Sequence, residues 1–170
     1  MPVLEFAASH IDQGVLAFGI GGDEARGPAS WFKDIFNRAK SAGLRLTCHA
    51  GETCGPESIR EALAIGAERI GHGISAASDV DLLAYLRERD IPLEICISSN
   101  VRTGVVPSLA AHPVRLIFDA GVPIIVSNDD PALFGTSLRQ GYGTLATHFK
   151  FNAAELEDLG AKSLLYAFRP

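Results

Sequence analysis

The residues best suited to chemistry lie where apolar segments of this 170-residue chain end. The apolar run that begins at Leu44 delivers His49 and Glu52 to its far end. An imidazole is a common metal ligand, and a carboxylate can carry a proton in acid–base catalysis. We therefore take His49 as a candidate metal ligand and Glu52 as a candidate proton carrier, because loops that follow buried strands often hold catalytic groups.

Polar residues end four further apolar segments in the same way. The five segment ends are Gly22-Asp23-Glu24, His49-Ala50-Gly51-Glu52, Gly71-His72-Gly73, Ser98-Ser99-Asn100 and Asn128-Asp129-Asp130. The functional pole of a parallel sheet or a βα barrel is the carboxyl edge of its strands. This recurrence predicts that the five segment ends converge on one pocket.

Short apolar runs are predicted to form the strands that position these residues: Val15–Ile20, Leu44–His49, Arg69–Gly73, Ile91–Cys96 and Val122–Ser127. A first helix is expected near 3–11, and helical segments follow the strands over 29–42, 57–65, 78–89, 112–121, 136–149 and 153–168. Ser78 with Asp81, and Asn152 with Glu155, predict capping boxes for two of these helices. Apolar strands that alternate with helices indicate an α/β fold with a parallel sheet.

The length and the hydrophobic fraction of 47% suit a single domain over residues 1–170. About five βα units are visible, whereas a closed eight-stranded barrel typically needs about 250 residues. The pattern therefore predicts either a small open α/β domain or the C-terminal part of a barrel.

Composition excludes several classes of partner. The formal net charge is −5 and the basic residues are not clustered, so we expect neither nucleic acid nor an anionic membrane as a partner. No apolar run reaches the roughly 18 residues that a membrane-spanning helix requires. Cys48, Cys54 and Cys96 form no C-x-x-C pair, and the start of the chain does not look like a secretion signal. We expect a reduced, cytoplasmic protein.

Several motifs together resemble those of the adenosine deaminase family in order and approximate spacing. They are Gly21-Gly22-Asp23-Glu24, His49-Ala-Gly-Glu52, Arg69-Ile-Gly-His72-Gly, Glu94-Ile-Cys-Ile-Ser-Ser-Asn100, His112-Pro113 and Ser127-Asn128-Asp129-Asp130-Pro131 with Phe134. The similarity runs through nearly all of the chain. It implies part of a TIM (β/α)8 barrel and a zinc-dependent aminohydrolase of purine metabolism, which replaces the 6-amino group of a purine with oxygen and releases ammonia.

The resemblance also implies roles for particular residues. His49 and Asp129 match family positions that ligate one Zn²⁺ ion, which lowers the pKa of a bound water. Glu52 matches the residue that protonates the purine ring nitrogen beside the attacked carbon. His72 matches the histidine that orients the metal-bound hydroxide.

Two further residues are expected to bind the substrate. Asp130 matches a residue that hydrogen-bonds the five-membered ring of the purine. Gly22 matches a position whose backbone N–H meets the purine. Ordinary structural roles stay open beside these: Asp129 and Asp130 would also suit a helix N-terminus, and Gly22 would also suit a tight turn.

Other polar residues in the chain are expected to be structural. Glu94 lies inside an apolar strand and would need an ion-pair partner, such as an Arg or Lys of another strand. His112 precedes a proline and would suit a helix cap. Cys48 is expected to face the helices because neighbouring strand residues point to opposite faces.

The chain also departs from the family pattern. The family's first strand carries an H-x-H motif that supplies two further zinc ligands, and no two histidines here are two residues apart. The first three strands of the barrel are expected to be missing. We therefore expect the isolated chain to lack a full metal site and full activity, and to self-associate through the unpaired edges of its first and last strands.

The sequence leaves the exact reaction open. Adenosine is the expected substrate, but adenine and aminodeoxyfutalosine are alternatives, as is another cyclic amidine. A different class of function is also open: a catalytically inactive half-barrel that binds a purine or a partner protein.

Overall fold

Five parallel strands form one sheet in the computed structural model, which describes residues 2–169. They are β1 (Ala17–Ile20), β2 (Arg45–Ala50), β3 (Arg69–His72), β4 (Leu93–Ile95) and β5 (Ile124–Val126). Each strand pairs in parallel with the next one along the chain, so the sheet order is β1-β2-β3-β4-β5. All five predicted strands are present, and the predicted α/β fold is confirmed.

Helices connect the strands and pack against the sheet. They are α1 (Pro2–Ser9), α2 (Lys33–Ser41), α3 (Pro56–Ala64), α4 (Val80–Glu88), α5 (Ile97–Arg102), α6 (Val114–Asp119), α7 (Pro131–Phe134), α8 (Leu138–His148) and α9 (Ala153–Leu165). Short 3₁₀ helices cover Ile11–Gln13, Ala29–Phe32, Ile74–Ser78 and Leu109–Ala111. The core lies between the helices and the sheet, and Phe36 of α2 and Ile59 of α3 are completely buried in it.

Strand β2 shows how the sheet separates core residues from site residues. Leu46 and Cys48 are buried in the core, while Thr47 and His49 are only half-buried and alternate with them. Burial raises the pKa of the Cys48 thiol to about 12, so this cysteine is an inert core residue, as predicted. The alternation leaves His49 on the opposite face of the sheet.

Helix caps agree with the prediction at one helix and differ at another. The Asn152–Glu155 capping box that opens α9 is present. Helix α4 is capped by Asp79, whose carboxylate accepts the Leu82 N–H, and not by Ser78 as predicted. Ser78 still belongs to a 3₁₀ turn, and its hydroxyl donates to the Ser75 carbonyl, so it is not free to cap the helix.

Residues 98–100 also differ from expectation. No helix is predicted between the strand that ends at Cys96 and residue 112, but these residues lie in α5 (Ile97–Arg102). Serine and asparagine have low helix propensity because their side chains compete for backbone hydrogen bonds, so the sequence does not indicate this helix. Both Ser99 and Asn100 are fully buried, so contacts made in the folded structure stabilise this helix.

An ion pair on the opposite side of the sheet from the core joins β3 to β4. Arg69 Nε lies 2.8 Å from Glu94 Oε1. The Arg69 guanidinium carbon, Cζ, also lies over the Phe168 ring, 4.1 Å from its centroid. The predicted ion-pair partner of Glu94 on another strand is therefore Arg69.

The sheet is open in the described part of the chain. Within residues 2–169, β1 pairs with β2 alone and β5 pairs with β4 alone, so each strand presents an edge without a strand partner. Across the same residues, none of the helices has the length and hydrophobicity that crossing a bilayer requires.

Candidate active site at the carboxyl ends of the strands

Three of the predicted site residues meet at the ends of β2 and β3. The rings of His49 and His72 stand edge to face, with their centroids 5.0 Å apart. Glu52 lies beyond the end of β2, and its Oε2 is 3.5 Å from His72 Nε2. His72 is buried, while Glu52 keeps part of its side chain accessible to solvent. The predicted convergence is therefore present for these three side chains.

A glycine on the neighbouring strand makes room for the His49 imidazole. His49 pairs in register with Gly71 of β3. A Cβ atom at position 71 would lie 2.6 Å from His49 Cδ2, closer than carbon atoms can approach. Position 71 therefore requires glycine if His49 is to keep its present orientation.

His72 and Asp129 share an uncommon backbone conformation. Their φ angles are 61° and 62°, in the left-handed region that residues with a Cβ atom seldom adopt. Among residues 2–169 only two other non-glycine residues do so, Asp90 and Lys150, and each follows the end of a helix. Such conformations cost free energy and cluster at functional sites. Here His72 is the last residue of β3, and Asp129 follows the end of β5.

The surroundings of Glu52 favour its protonated form. Burial raises the pKa of the Glu52 carboxyl above its ordinary value, and the negative charges of Asp129 and Glu24 raise it further. The Asn100 amide donates a long hydrogen bond of 3.4 Å to Glu52 Oε1 and opposes this shift only in part. Glu52 is thus an acid that can hold a proton nearer neutral pH than an exposed glutamate.

Glu24 holds the loop that carries Glu52. Its carboxylate accepts hydrogen bonds from the backbone N–H groups of Gly51, Glu52 and Thr53, with N···O distances of 2.7, 2.9 and 3.1 Å. Glu24 belongs to one of the five polar segment ends, but the sequence alone gives it no role. A carboxylate after the end of β1, next to the strand that precedes Glu52, is the only signal the sequence offers for this contact.

Asp129 is held by a residue that the sequence did not single out. The hydroxyl of the buried Ser99 donates to Asp129 Oδ2 at 2.7 Å. This bond joins α5 to the loop after β5 and leaves Oδ1 of Asp129 outside it. Hydrogen bonds of this kind orient carboxylates that bind metals.

Asn100 and His112 extend the cluster on the Nδ1 side of the His72 ring, whereas Glu52 lies on the Nε2 side. Asn100 Nδ2 lies 3.1 Å from His72 Nδ1, and Asn100 Oδ1 lies 3.2 Å from His112 Nε2. The N-cap residue of α6 is Pro113, but the Val114 N–H donates to His112 Nδ1 at 3.2 Å, so His112 satisfies the first backbone N–H of this helix. Burial lowers the pKa of His72, and it lowers the pKa of His112 to about 4. Both imidazoles are therefore neutral at pH 7.

Gly22 and Asp130 lie farther from this cluster. Gly22, with φ 132°, lines a cleft of about 380 Å³ that also contacts His49 and Glu24. Asp130 is exposed and caps α7 by accepting the Leu133 N–H at 3.3 Å. The cap that the sequence left open for Asp130 is present, and the roles of both residues in substrate binding stay predictions.

His49 and Asp129 are of the donor types that zinc prefers, Gly71 leaves room for the His49 ring, and Ser99 donates a hydrogen bond to Asp129. Two residues are fewer than the protein ligands that a catalytic zinc generally has. Within residues 2–169, no three His, Cys, Asp or Glu side chains are grouped closely enough to hold a metal ion. A catalytic zinc generally has three protein ligands and a water. The structure therefore shows no complete zinc site within residues 2–169, and the roles of His49 and Asp129 as zinc ligands stay predictions.

Known proteins resemble this chain over nearly its whole length. A family model described as "Adenosine deaminase" matches residues 2–170. The chain is 44% identical over 157 residues to an aminodeoxyfutalosine deaminase of Streptomyces coelicolor, covering 92% of this chain and 41% of that protein. It is 42% identical over 157 residues to an adenosine deaminase of Yersinia pseudotuberculosis, covering 92% and 47%.

A solved structure shows the same fold. The crystal structure of an adenine deaminase from Arthrobacter aurescens superposes with a TM-score of 0.88 at 33% identity, covering 98% of this chain and 53% of that one. The chain thus spans about half the length of these relatives, and its five βα units are part of a TIM-barrel fold. With the family model matching nearly its whole length, the chain belongs to the adenosine deaminase family.

Proposed function

We propose that the natural polypeptide carrying this sequence catalyses the hydrolytic deamination of a 6-aminopurine. The observation that carries the proposal is the cluster of Glu52, His72 and Asn100, in which a carboxyl group with a raised pKa lies 3.5 Å from a neutral histidine. The relatives named above, deaminases of adenosine, adenine and aminodeoxyfutalosine, support the reaction class.

Glu52 is the proposed general acid. Deamination of a purine requires a proton on the ring nitrogen beside the attacked carbon, because that proton makes the carbon a better electrophile. The raised pKa favours the protonated form of the Glu52 carboxyl, and the partial exposure of this side chain lets it reach a substrate. Glu24 fixes the backbone from which Glu52 extends.

His72 is proposed to orient the attacking water. Its imidazole is buried and neutral, so it can form a directional hydrogen bond without adding positive charge to the site. Such an oriented group stabilises charge that develops on the water oxygen during attack.

His49 and Asp129 are proposed to hold a zinc ion. When bound, zinc lowers the pKa of a water molecule so that hydroxide forms near neutral pH. Because these two residues do not complete the site, we assign the remaining ligands to residues outside this chain. The location is proposed to be cytoplasmic, which free cysteines at positions 48, 54 and 96 support.

Adenosine is the proposed substrate, with adenine and aminodeoxyfutalosine as alternatives. The Gly22 backbone and the Asp130 side chain are proposed to contact the purine. The cleft beside His49 supports the assignment of Gly22, since a residue without a Cβ atom lets a ligand approach the backbone closely.

The test is ammonia release by the natural polypeptide with adenosine, adenine and aminodeoxyfutalosine, before and after Glu52→Gln. The glutamine keeps the size of the side chain but has no transferable proton. We expect kcat to fall at least about 100-fold while zinc content, measured by mass spectrometry, stays unchanged. Glu57→Gln, at an exposed position of α3, is the matched control. An active Glu52→Gln variant would overturn the assignment.

The incomplete zinc site favours a second candidate. Residues 2–169 alone do not bring three possible metal ligands together. If the natural polypeptide has no other ligands, the proposed function is an inactive half-barrel that binds a purine or a partner. The intact mass and zinc content of the natural protein separate the two functions. A mass near 18.1 kDa with little zinc favours the binding protein, and a larger mass with stoichiometric zinc favours the enzyme.

A further inference from the structure

His72, Asn100 and His112 form a row of buried polar side chains that ends at a backbone group. Their side chains are almost inaccessible to solvent, so water does not compete for their hydrogen bonds. The row runs from the Val114 N–H through His112 and Asn100 to His72. Because a backbone N–H can only donate, this end of the row sets the direction of every bond that follows.

The first step assigns the proton on His112. The Val114 N–H donates to His112 Nδ1, so Nδ1 carries no proton. A neutral imidazole has one N–H, which must then be on Nε2. Burial keeps His112 neutral. Its Nε2–H therefore donates to Asn100 Oδ1 at 3.2 Å.

The second step assigns the proton on His72. With Asn100 Oδ1 occupied as an acceptor, the amide nitrogen of Asn100 faces His72 Nδ1 at 3.1 Å and donates to it. His72 Nδ1 is then an acceptor, and its proton lies on Nε2. A flipped Asn100 amide would require a proton on His112 Nδ1, directly opposite the Val114 N–H, and two donors would face each other.

We propose that Asn100 and His112 are positioning residues that hold His72 in its Nε2–H tautomer. The Nε2 atom is the one that lies 3.5 Å from Glu52 Oε2, on the catalytic side of the ring. His72 therefore presents a hydrogen-bond donor to the pocket. The second amide hydrogen of Asn100 is directed at Glu52 Oε1, at 3.4 Å, so one amide orients both residues.

The catalytic consequence rests on the proposed function. A histidine that donates from Nε2 can hold the oxygen of an attacking water and stabilise negative charge on it, whereas the other tautomer would accept a hydrogen bond at that position. The tautomer itself does not depend on the proposed function, and it can be measured on the present chain without a substrate.

The experiment is long-range ¹H–¹⁵N NMR of the 170-residue chain labelled at histidine, which distinguishes protonated from unprotonated ring nitrogens. We expect protonated Nε2 and unprotonated Nδ1 in both His72 and His112 of the unmutated protein. The exposed His148 serves as an internal reference for a histidine without this constraint. A proton on Nδ1 of His72 in the unmutated protein overturns the proposal outright.

Three variants test the cause. Asn100→Asp replaces the donor with a carboxylate, which only accepts, so His72 should become protonated at Nδ1. His112→Phe removes the group that orients Asn100, and His72 should then show both tautomers. His112→Gln can still accept from Val114 and donate to Asn100, so it should restore the Nε2–H tautomer. A folded Asn100→Asp variant whose His72 keeps an unprotonated Nδ1 contradicts the proposal.

In the natural polypeptide, the same variants separate positioning from folding. Asn100→Asp and His112→Phe should lower kcat by at least about 10-fold with little change in KM, and His112→Gln should recover most of the loss. If the tautomer changes as expected but no variant or unmutated polypeptide deaminates a purine, the proposed function fails while the tautomer assignment stands.

Discussion

Glu52 and His72 are both driven toward their neutral forms by burial, although one is an acid and the other a base. Desolvation penalises a charged group of either sign, so it raises the pKa of the carboxyl and lowers the pKa of the imidazole. Each shift favours the neutral form, which is the protonated carboxyl of Glu52 and the neutral imidazole of His72, 3.5 Å away. This division suits a site in which one residue delivers a proton and the other orients a nucleophile.

Gly71 offers a test of how tightly His49 is held. In Gly71→Ala the new methyl group would lie 2.6 Å from His49 Cδ2, so the ring or the strand must move. We expect the free energy of unfolding, measured with urea, to fall by about 1–3 kcal/mol, as is typical of overpacking. Gly143→Ala is the control, because a methyl group there meets nothing within 4 Å. Equal stabilities for the two variants would contradict the role of Gly71.

His112 predicts how stability depends on pH. Its pKa is about 4 in the folded state and ordinarily 6.5, so the unfolded chain binds more protons between these values. The free energy of unfolding should therefore decrease as the pH falls from about 6.5 to about 4, and His112 should account for up to about 3 kcal/mol of that loss.

The measurement is urea unfolding at several pH values for the unmutated chain and for His112→Gln, which has no titrating ring. The variant should lose less stability than the unmutated chain across this range. Parallel pH profiles for the two proteins would show that His112 does not contribute.

At the scale of elements, Glu52, His72 and Asp129 are each supported by a residue from a loop or helix other than their own. The loop after β1 contributes Glu24, which binds the backbone of the loop after β2. Helix α5 contributes Ser99 to Asp129 and Asn100 to His72. Because α5 contacts the loop after β2, the last residue of β3 and the loop after β5, it ties the carboxyl ends of these strands together.

The start of α4 provides a test of helix capping. Asp79→Ala should lower the urea midpoint of the chain, because the N–H of Leu82 loses its acceptor. Asp79→Asn keeps an acceptor oxygen and should recover part of that loss, although its bond to Arg60 is weakened. Ser78→Ala should leave the midpoint nearly unchanged. A larger effect at Ser78 than at Asp79 would restore the cap predicted from sequence.

At the scale of the whole molecule, the open sheet is the dominant feature. The described residues leave one edge of β1 and one edge of β5 without a strand partner. Unpaired edges expose backbone hydrogen-bonding groups and invite pairing with another chain. The chain also spans only about half the length of its relatives.

These edges predict that the isolated 170-residue chain self-associates. Sedimentation velocity over a wide concentration range should show species larger than 18.1 kDa. Ala17→Lys places a charge in the edge strand β1 and should weaken association, while Ala154→Lys, at an exposed position of α9, should not. A single monomeric species at every concentration would contradict the prediction.

The sequence by itself determined the five strands and most of the helices, and it marked the residues that could do chemistry. Apolar runs mark all five strands because a parallel sheet is covered by helices and needs continuous hydrophobic strands. Polar residues after those runs marked His49, Glu52 and His72, since the carboxyl ends of parallel strands share one edge. The Asn152–Glu155 capping box could be predicted for a similar reason, because its contacts are local.

Only the tertiary structure decided which partners orient these residues. Ser99 and Asp129 are 30 residues apart in sequence, Asn100 and His72 are 28 apart, and Glu24 and Gly51 are 27 apart. Whether such side chains touch depends on strand register and on the path of each loop, which no local pattern encodes. The direction of the His112–Asn100–His72 hydrogen bonds depends further on one backbone N–H, at Val114, whose role exists only once α6 has formed.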